Sequence, residues 1–326
     1  MQDLRISVTD RCNFRCTYCM PHDEYKWVER AEVLTFDEIE RLARVLVSQG
    51  VTHVRLTGGE PLVRRELEKL IAKLKGISDL KDLSLTTNGA LLAPQIGALR
   101  AAGLERINVS LDTLREDRFR KITQRGELAP VLEGLKAAKA SGIDPIKINA
   151  VVIRGFNDDE LLELVEFGRN NGYEMRFIEY MDVGNASGWE PAKTYTKREM
   201  LETIHARYPL REVGRVAGSA PAVDYEFLDG AGLVGIIGSI TEPFCSSCTR
   251  VRLTADGRLV TCLFADAGFD LKTPMRSGAT DADLIELIGS VWKGRSDRYS
   301  DLRWEALKSG KSYQTARKIE MITLGG

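Results

Sequence analysis

RCNFRCTYCM, residues 11–20, holds Cys12, Cys16 and Cys19, half of the six cysteines in a chain of 326 residues. The other half, Cys245, Cys248 and Cys262, lies in FCSSCTRVRLTADGRLVTCLF. The opening MQDLRISVTDRCN has no apolar stretch of the signal-peptide kind, so the expected compartment is a reducing one and clustered thiols read as metal ligands. Two kinds of site fit. A structural zinc ion wants four ligands; His22 completes the first set as Cys-x3-Cys-x2-Cys-x2-His, and Cys245-x2-Cys248 looks like half a zinc ribbon. Alternatively, three thiolates on a [4Fe–4S] cube leave one iron without a protein ligand, the open position that metal catalysis requires. For the second triad a fourth ligand is hard to find, because the nearest preceding histidine, His205, stands forty residues before Cys245.

Other groups point to an anion. Arg250 and Arg252 fall two apart in the spacer of the second triad, on one face of a strand-like run. Either they are a solvated charge pair, or, beside an open iron, they take phosphates. Composition does not supply a global field, since 46 basic and 47 acidic residues leave a net charge of −1. Attraction to nucleic acid or an anionic membrane is not expected, and any anion site must be built locally. No apolar run is long enough to span a bilayer, which makes a cytoplasmic protein the expectation.

The elements that must position these groups alternate between β-rich runs and amphipathic stretches. The runs are 4–9, 52–58, 83–89, 106–112, 146–153 and 175–181; the helical patterns are 35–50, 65–75, 93–103, 129–142 and 158–172. Such a series predicts a parallel sheet with helices against it. Each run has one apolar face, as in Leu4, Ile6 and Val8, and one polar face: Arg5, Ser7; Arg55, Thr57; Ser84, Thr86; Asn108, Ser110, Asp112; Lys147, Asn149; Arg176. Parallel strands covered on both faces should be continuously apolar. A polar face repeated on successive parallel strands predicts an open, partial (β/α)6 barrel of TIM type around a polar cavity. Arg5, Arg55, Lys147 and Arg176 then share one space, which an anion must also share. The rhythm changes after about residue 182, giving a predicted division into a barrel, 1–181, and a C-terminal extension, 182–326, over the barrel mouth. The extension is expected to hold a helix at 196–206, short strands and a last helix at 281–293, followed by a polar tail ending in Gly325-Gly326.

Cys-x3-Cys-x2-Cys with Tyr18 before its third cysteine resembles the signature of the radical S-adenosylmethionine (SAM) superfamily, and Thr57-Gly58-Gly59-Glu60-Pro61 resembles that superfamily's GGE motif. With the second triad and the terminal Gly-Gly, the whole chain resembles the molybdenum cofactor biosynthesis A family, the GTP 3′,8-cyclases. The resemblance implies two [4Fe–4S] clusters, the first chelated by SAM and the second taking the guanine of GTP on its open iron. A 5′-deoxyadenosyl radical would remove the ribose 3′ hydrogen, the carbon radical would attack C8, and reduction would give 3′,8-cyclo-7,8-dihydro-GTP. That product would go to a separate cyclic pyranopterin monophosphate synthase, in the first step of molybdenum cofactor biosynthesis. Electrons would come from a ferredoxin- or flavodoxin-type donor, and a homodimer is expected. Carried over, Arg5, Arg55, Thr86, Lys147, Arg250 and Arg252 match GTP-contacting positions, with Arg176 added as luminal. Tyr18, Gly59, Ser110 and Met181 match positions lining SAM, and Gly325 and Gly326 would reach into the active site. Family members usually have more than four residues before the position of Arg5, so a leading segment outside the sequence is expected. The rival reading is a radical SAM enzyme with an auxiliary cluster acting on a peptide, which would call for extra cysteines and no luminal cations.

Overall fold

The computed structural model describes residues 1–326 except 23, 185–188, 216–219, 312, 314–317 and 326. The six predicted runs form β1 (Asp3–Ser7), β2 (His53–Thr57), β3 (Asp82–Thr87), β4 (Arg106–Ser110), β5 (Ile146–Val152) and β6 (Glu174–Glu179), paired in parallel in chain order. Between them lie α1 (Phe36–Ser48), α2 (Leu67–Lys75), α3 (Ile96–Ala101), α4 (Glu116–Thr123), α5 (Leu128–Ala140) and α6 (Leu161–Asn171). Their apolar faces pack on the apolar face of the sheet. Leu4, Ile6, Leu56, Leu85, Ile107, Ile148 and Phe177 are all at most 1% exposed, against helix residues such as Leu42, Leu46, Leu70 and Leu135. Truncating one of these to alanine would cost about 2–5 kcal/mol. Local signals fix the helix ends: Thr35 and Glu38 form a capping box at the start of α1, and α6 closes on Gly172 at φ 67°.

The C-terminal region does more than lie over the mouth. It continues with α7 (Lys197–Arg207), β7 (Leu210–Gly214), β8 (Val223–Phe227), β9 (Leu233–Ile237), β10 (Arg250–Leu253), β11 (Arg258–Val260), β12 (Phe269–Asp270), α8 (Lys272–Arg276), α9 (Asp281–Lys293), α10 (Tyr299–Lys308) and α11 (Met321–Leu324). β10 pairs in parallel with β1, and β9 in parallel with β6, so the extension adds a strand to each edge of the six. Antiparallel β11 and β12 continue one edge, β8 and β7 the other, giving one sheet in the order β12-β11-β10-β1-β2-β3-β4-β5-β6-β9-β8-β7. Side chains from β1 through β6, β9 and β10 line a single cavity of about 220 Å³, so the polar face curls around it as an open barrel.

Among the described residues four helices, α4, α8, α10 and α11, lie outside the expected helical patterns. α4 offers only Phe119, Ile122 and Thr123 as buried residues. α10 lies in what reads as a polar tail, because its buried residues are Tyr299 and Arg303, one of them a cation.

Candidate functional site

The first cysteine loop leaves β1 and is held on two sides. Gly59 N–H donates to Thr9 O and Glu60 N–H to Arg11 O, both at 2.7 Å, so the Gly58-Gly59-Glu60 turn runs zipped to the chain entering the loop. The approach explains the glycines: a Cβ on Gly59 would lie 2.3 Å from Arg11 O, and one on Gly58 2.5 Å from Thr9 O. On the other side, Arg15 N–H and Thr17 N–H each donate at 2.9 Å, to Thr123 O and Ile122 O at the end of α4. The Glu60 carboxylate does not face the chamber; it accepts from Leu62 N–H, Thr87 Oγ1 and Asn88 N–H, tying β2 to β3. Tyr18 hydroxyl donates to Asp112 Oδ2 at 2.8 Å, and Asp112 Oδ1 accepts from Val151 N–H at 2.8 Å, which fastens the loop to β4 and β5. Burial pushes the Asp112 carboxyl up to about 6 and Glu60 up to about 7.

Burial likewise raises the thiols, Cys12 to about 11 and Cys19 to about 12, with Cys16 pushed up further by Cys19, Asp112 and Cys12. Cys262 rises to about 11. At Cys248 burial works upward but is outweighed by Arg250, whose Nε lies 3.2 Å from the sulfur, and the thiol falls below its ordinary value. All six cysteines are free. In the first triad three thiols raised in this way are held as thiolates together only by a cation that repays the desolvation, which suits a thiolate-ligated cluster, and the second triad offers the same three-cysteine donor set. Among the described residues no three His, Cys, Asp or Glu close to the spacing of a single metal ion, and His22 lies against Tyr25, ring centroids 5.9 Å apart.

The cavity brings together Arg5, Tyr18, Arg55, Thr86, Ser110, Arg176 and Met181 with Cys245, Cys248, Arg250, Arg252 and Cys262. Register sets Arg252, Arg5 and Arg55 side by side on β10, β1 and β2. Among the described residues none of these three, nor Arg250, makes an ion pair, and Arg252 is 3% exposed. Burial and their mutual charge hold Arg5 and Arg55 well below the usual guanidinium range, Arg5 next to Arg252 and Arg55 next to Arg5. Like charges in adjacent register destabilise a sheet, so the row calls for a shared anion. The deeper cations differ from expectation. Lys147 lies outside the cavity lining, ion-paired with Glu174, its partner in register; Arg176 has Asp224 nearby. Part of the anion expected there is thus the protein's own.

Cys12, Cys16, Cys19 and Gly59 stand behind the lining, at the end of β1 and β2. Gly325 enters from the tail: its carbonyl accepts from Arg252 at 3.0 Å, and a Cβ on it would meet Thr57 Cγ2 at 2.3 Å. Gly326 lies outside the described residues. Sequence reasoning did not single out Arg295, Asp297 and Phe264, which line the cavity beside the second triad, nor Asp182. Asp112 was visible on the polar face, but its hydrogen bond to Tyr18 was not.

Residues 6–168 match the model of the Radical SAM superfamily, and residues 173–301 that of Molybdenum Cofactor Synthesis C. The chain is 48% identical to "GTP 3′,8-cyclase 3" of Mycobacterium bovis over 93% of its length and 81% of the relative's. It is 47% identical to "GTP 3′,8-cyclase" of Xanthomonas axonopodis pv. citri over 100% of this chain and 96% of that one. Among solved structures it resembles Streptococcus suis SuiB bound to S-adenosylmethionine, with a TM-score of 0.56 and 16% identity over 80% of this chain. The chain spans 58% of that protein's length. A SuiB structure without that ligand in its description gives a TM-score of 0.58 at 17% identity, covering 94% of this chain and 67% of that one. At such identities these two likenesses concern the fold alone.

Proposed function

The chain belongs to the GTP 3′,8-cyclase family of the radical SAM superfamily, and from that premise we propose how its own residues carry the reaction from GTP to 3′,8-cyclo-7,8-dihydro-GTP. When bound, the reduced cluster and SAM supply a radical able to abstract hydrogen. Cys12, Cys16 and Cys19 would hold that cluster, and Cys245, Cys248 and Cys262 a second one with an iron open to the purine. Tyr18, Ser110 and Met181, which line the cavity, would take the SAM side, with Gly59, outside that lining, in the turn that holds the first cysteine loop. Asp112 orients Tyr18. Arg5, Arg55, Thr86, Arg250 and Arg252 receive GTP, the guanidiniums binding the triphosphate. Arg176 extends the cationic wall beside Asp224, and Lys147, outside the lining, would reach a phosphate only by leaving its pair with Glu174. Gly325 would complete the chamber and exclude water, and the family resemblance assigns Gly326 the same part.

The observation that carries this reading is the uncompensated row Arg252–Arg5–Arg55 beside the second triad. A triphosphate offers that row a dense counter-charge, which a peptide would match only by clustering several carboxylates. We assign residues 1–181 to the barrel and 182–326 to the extension. We also assign a ferredoxin- or flavodoxin-type donor, a downstream pyranopterin synthase, a cytoplasmic location and a homodimer. Among the described residues no helix is long and apolar enough to cross a membrane.

Anaerobic reconstitution tests the reading: roughly eight iron atoms per chain are expected, with SAM cleavage that depends on GTP and yields the cyclised nucleotide. Zinc in place of iron, or SAM cleavage indifferent to GTP, would overturn it.

A further inference from the structure

Asp182, directly after Met181, joins three segments far apart in the chain. From α10, Tyr299 hydroxyl donates to its Oδ2 at 2.5 Å and the Arg303 guanidinium binds its Oδ1. From the tail, Lys318 Nζ donates to both Asp182 Oδ2 and Asp182 O at 2.8 Å. Arg303 is fully buried, and its Nη2 donates to Ser239 O at 2.7 Å. Both cations lie over Phe264, Arg303 at 5.1 Å and Lys318 at 5.2 Å, and Phe264 stacks on Tyr299 with centroids 4.3 Å apart. Phe264 in turn donates its N–H to Cys262 Sγ.

From Lys318 onward the tail is held at every step. Ile319 N–H donates to Ala265 O at 2.9 Å, Ser7 Oγ to Thr323 O at 2.9 Å, and Arg252 to Leu324 O at 3.3 Å and Gly325 O at 3.0 Å. Ile322 and Leu324 are buried and would anchor the tail by themselves. Apolar contacts, however, tolerate a slip of one residue far better than a buried ion cluster does, and a slip here would withdraw the carbonyls from Arg252.

We propose that Asp182 is a positioning residue for the C-terminal tail: by clamping Lys318 against α10 it sets the register in which Leu324 and Gly325 reach Arg252. The consequence for turnover rests on the reading of Arg252 as a substrate ligand; the consequence for the tail does not. The test compares the full, reconstituted chain with its Lys318→Met and Asp182→Asn variants by amide hydrogen exchange and by kinetics. Lys318→Met leaves the Asp182–Arg303 pair in place, so the fold persists. In both variants residues 318–325 are expected to exchange about tenfold faster or more, with α9 and the sheet unchanged. kcat should fall while KM for SAM and iron content hold, and Asp182→Glu should recover part of kcat. Exchange of the tail at the wild-type rate in Lys318→Met would overturn the proposal, as would faster exchange spread over α9 and the sheet in both variants. Because exchange is read without turnover, a chain that fails to cyclise GTP removes the functional reading and leaves the tail result intact.

Discussion

The two cysteine triads flank one chamber and are dressed in opposite charge. Around the first, carboxylates add to the effect of burial: Glu60 at Cys12, Asp112 at Cys16, Glu320 at Cys19. Around the second, guanidiniums oppose it: Arg250 and Arg295 at Cys248, and Arg252 at Cys262, where Asp297 acts the other way. Burial and neighbouring carboxylates thus raise the thiols of the first triad, although Glu60 itself faces away from the chamber, whereas at the second triad Arg250 brings Cys248 below its ordinary value and the chamber wall carries guanidiniums. The contrast follows from chain order. The first triad sits on a loop packed against the ends of β2, β4 and α4, whereas the second brackets the β10–β11 hairpin, Cys245 and Cys248 before it and Cys262 after it, and β10 brings Arg250 and Arg252 with it.

Swapping ligands should separate the two ends most sharply. Cys12→Ser is expected to abolish SAM cleavage while GTP still binds; Cys262→Ser should keep SAM binding and lose cyclisation. Iron analysis, SAM cleavage and nucleotide binding in both variants check this, and equal loss of SAM cleavage and GTP binding in both would erase the distinction. Next in size is Arg252→Ala, where losing a charge-assisted contact of about 2–3 kcal/mol weakens GTP about 30–150-fold and leaves SAM binding and both clusters unchanged, as calorimetry would show.

A smaller effect belongs to the acidic end. The Asp112 carboxyl is raised from 3.8 to about 6, so the folded chain binds its proton more tightly than the unfolded one. That contribution is fully present below pH ~4 and is lost as pH rises through about 6, at most about 3 kcal/mol. The melting temperature of wild type is expected to fall relative to that of Asp112→Asn as pH rises from about 4 to above 6, and a constant difference would argue against a buried, raised Asp112. Smallest is the response to salt. Raising ionic strength from about 0.05 to about 0.5 M should increase KM for GTP several-fold and KM for SAM hardly at all, because screening acts on the uncompensated arginines.

How much of this was legible varied with the range of the interaction. The strand alternation placed Leu4 and Ile6 outward and Arg5, Arg55, Thr86 and Ser110 inward, because a period of two is a property of each segment alone. The six cysteines were equally plain. Lys147 was assigned to substrate because nothing local marks Glu174, 27 positions later, as its neighbour; only the β5–β6 register does. α10 was missed since Tyr299 and Arg303 bury a hydroxyl and a cation that need Asp182, and no periodicity of apolar residues announces that. The addition of β9 and β10 to both edges was hidden for the same reason, as pairing partners are chosen in space.

That pairing has a consequence for synthesis. β1 is among the first segments to leave the ribosome, yet one of its edges waits for β10, Asp3 opposite Arg250. At roughly 5–20 residues per second the wait is roughly 12–50 s, during which an edge carrying Leu4 and Ile6 stands open to pairing with another nascent chain. Arg5 lies on that same edge, and until the anion site is assembled its charge discourages a second copy from adding there. The charge we propose for substrate thus lies on the open edge of the strand before β10 arrives.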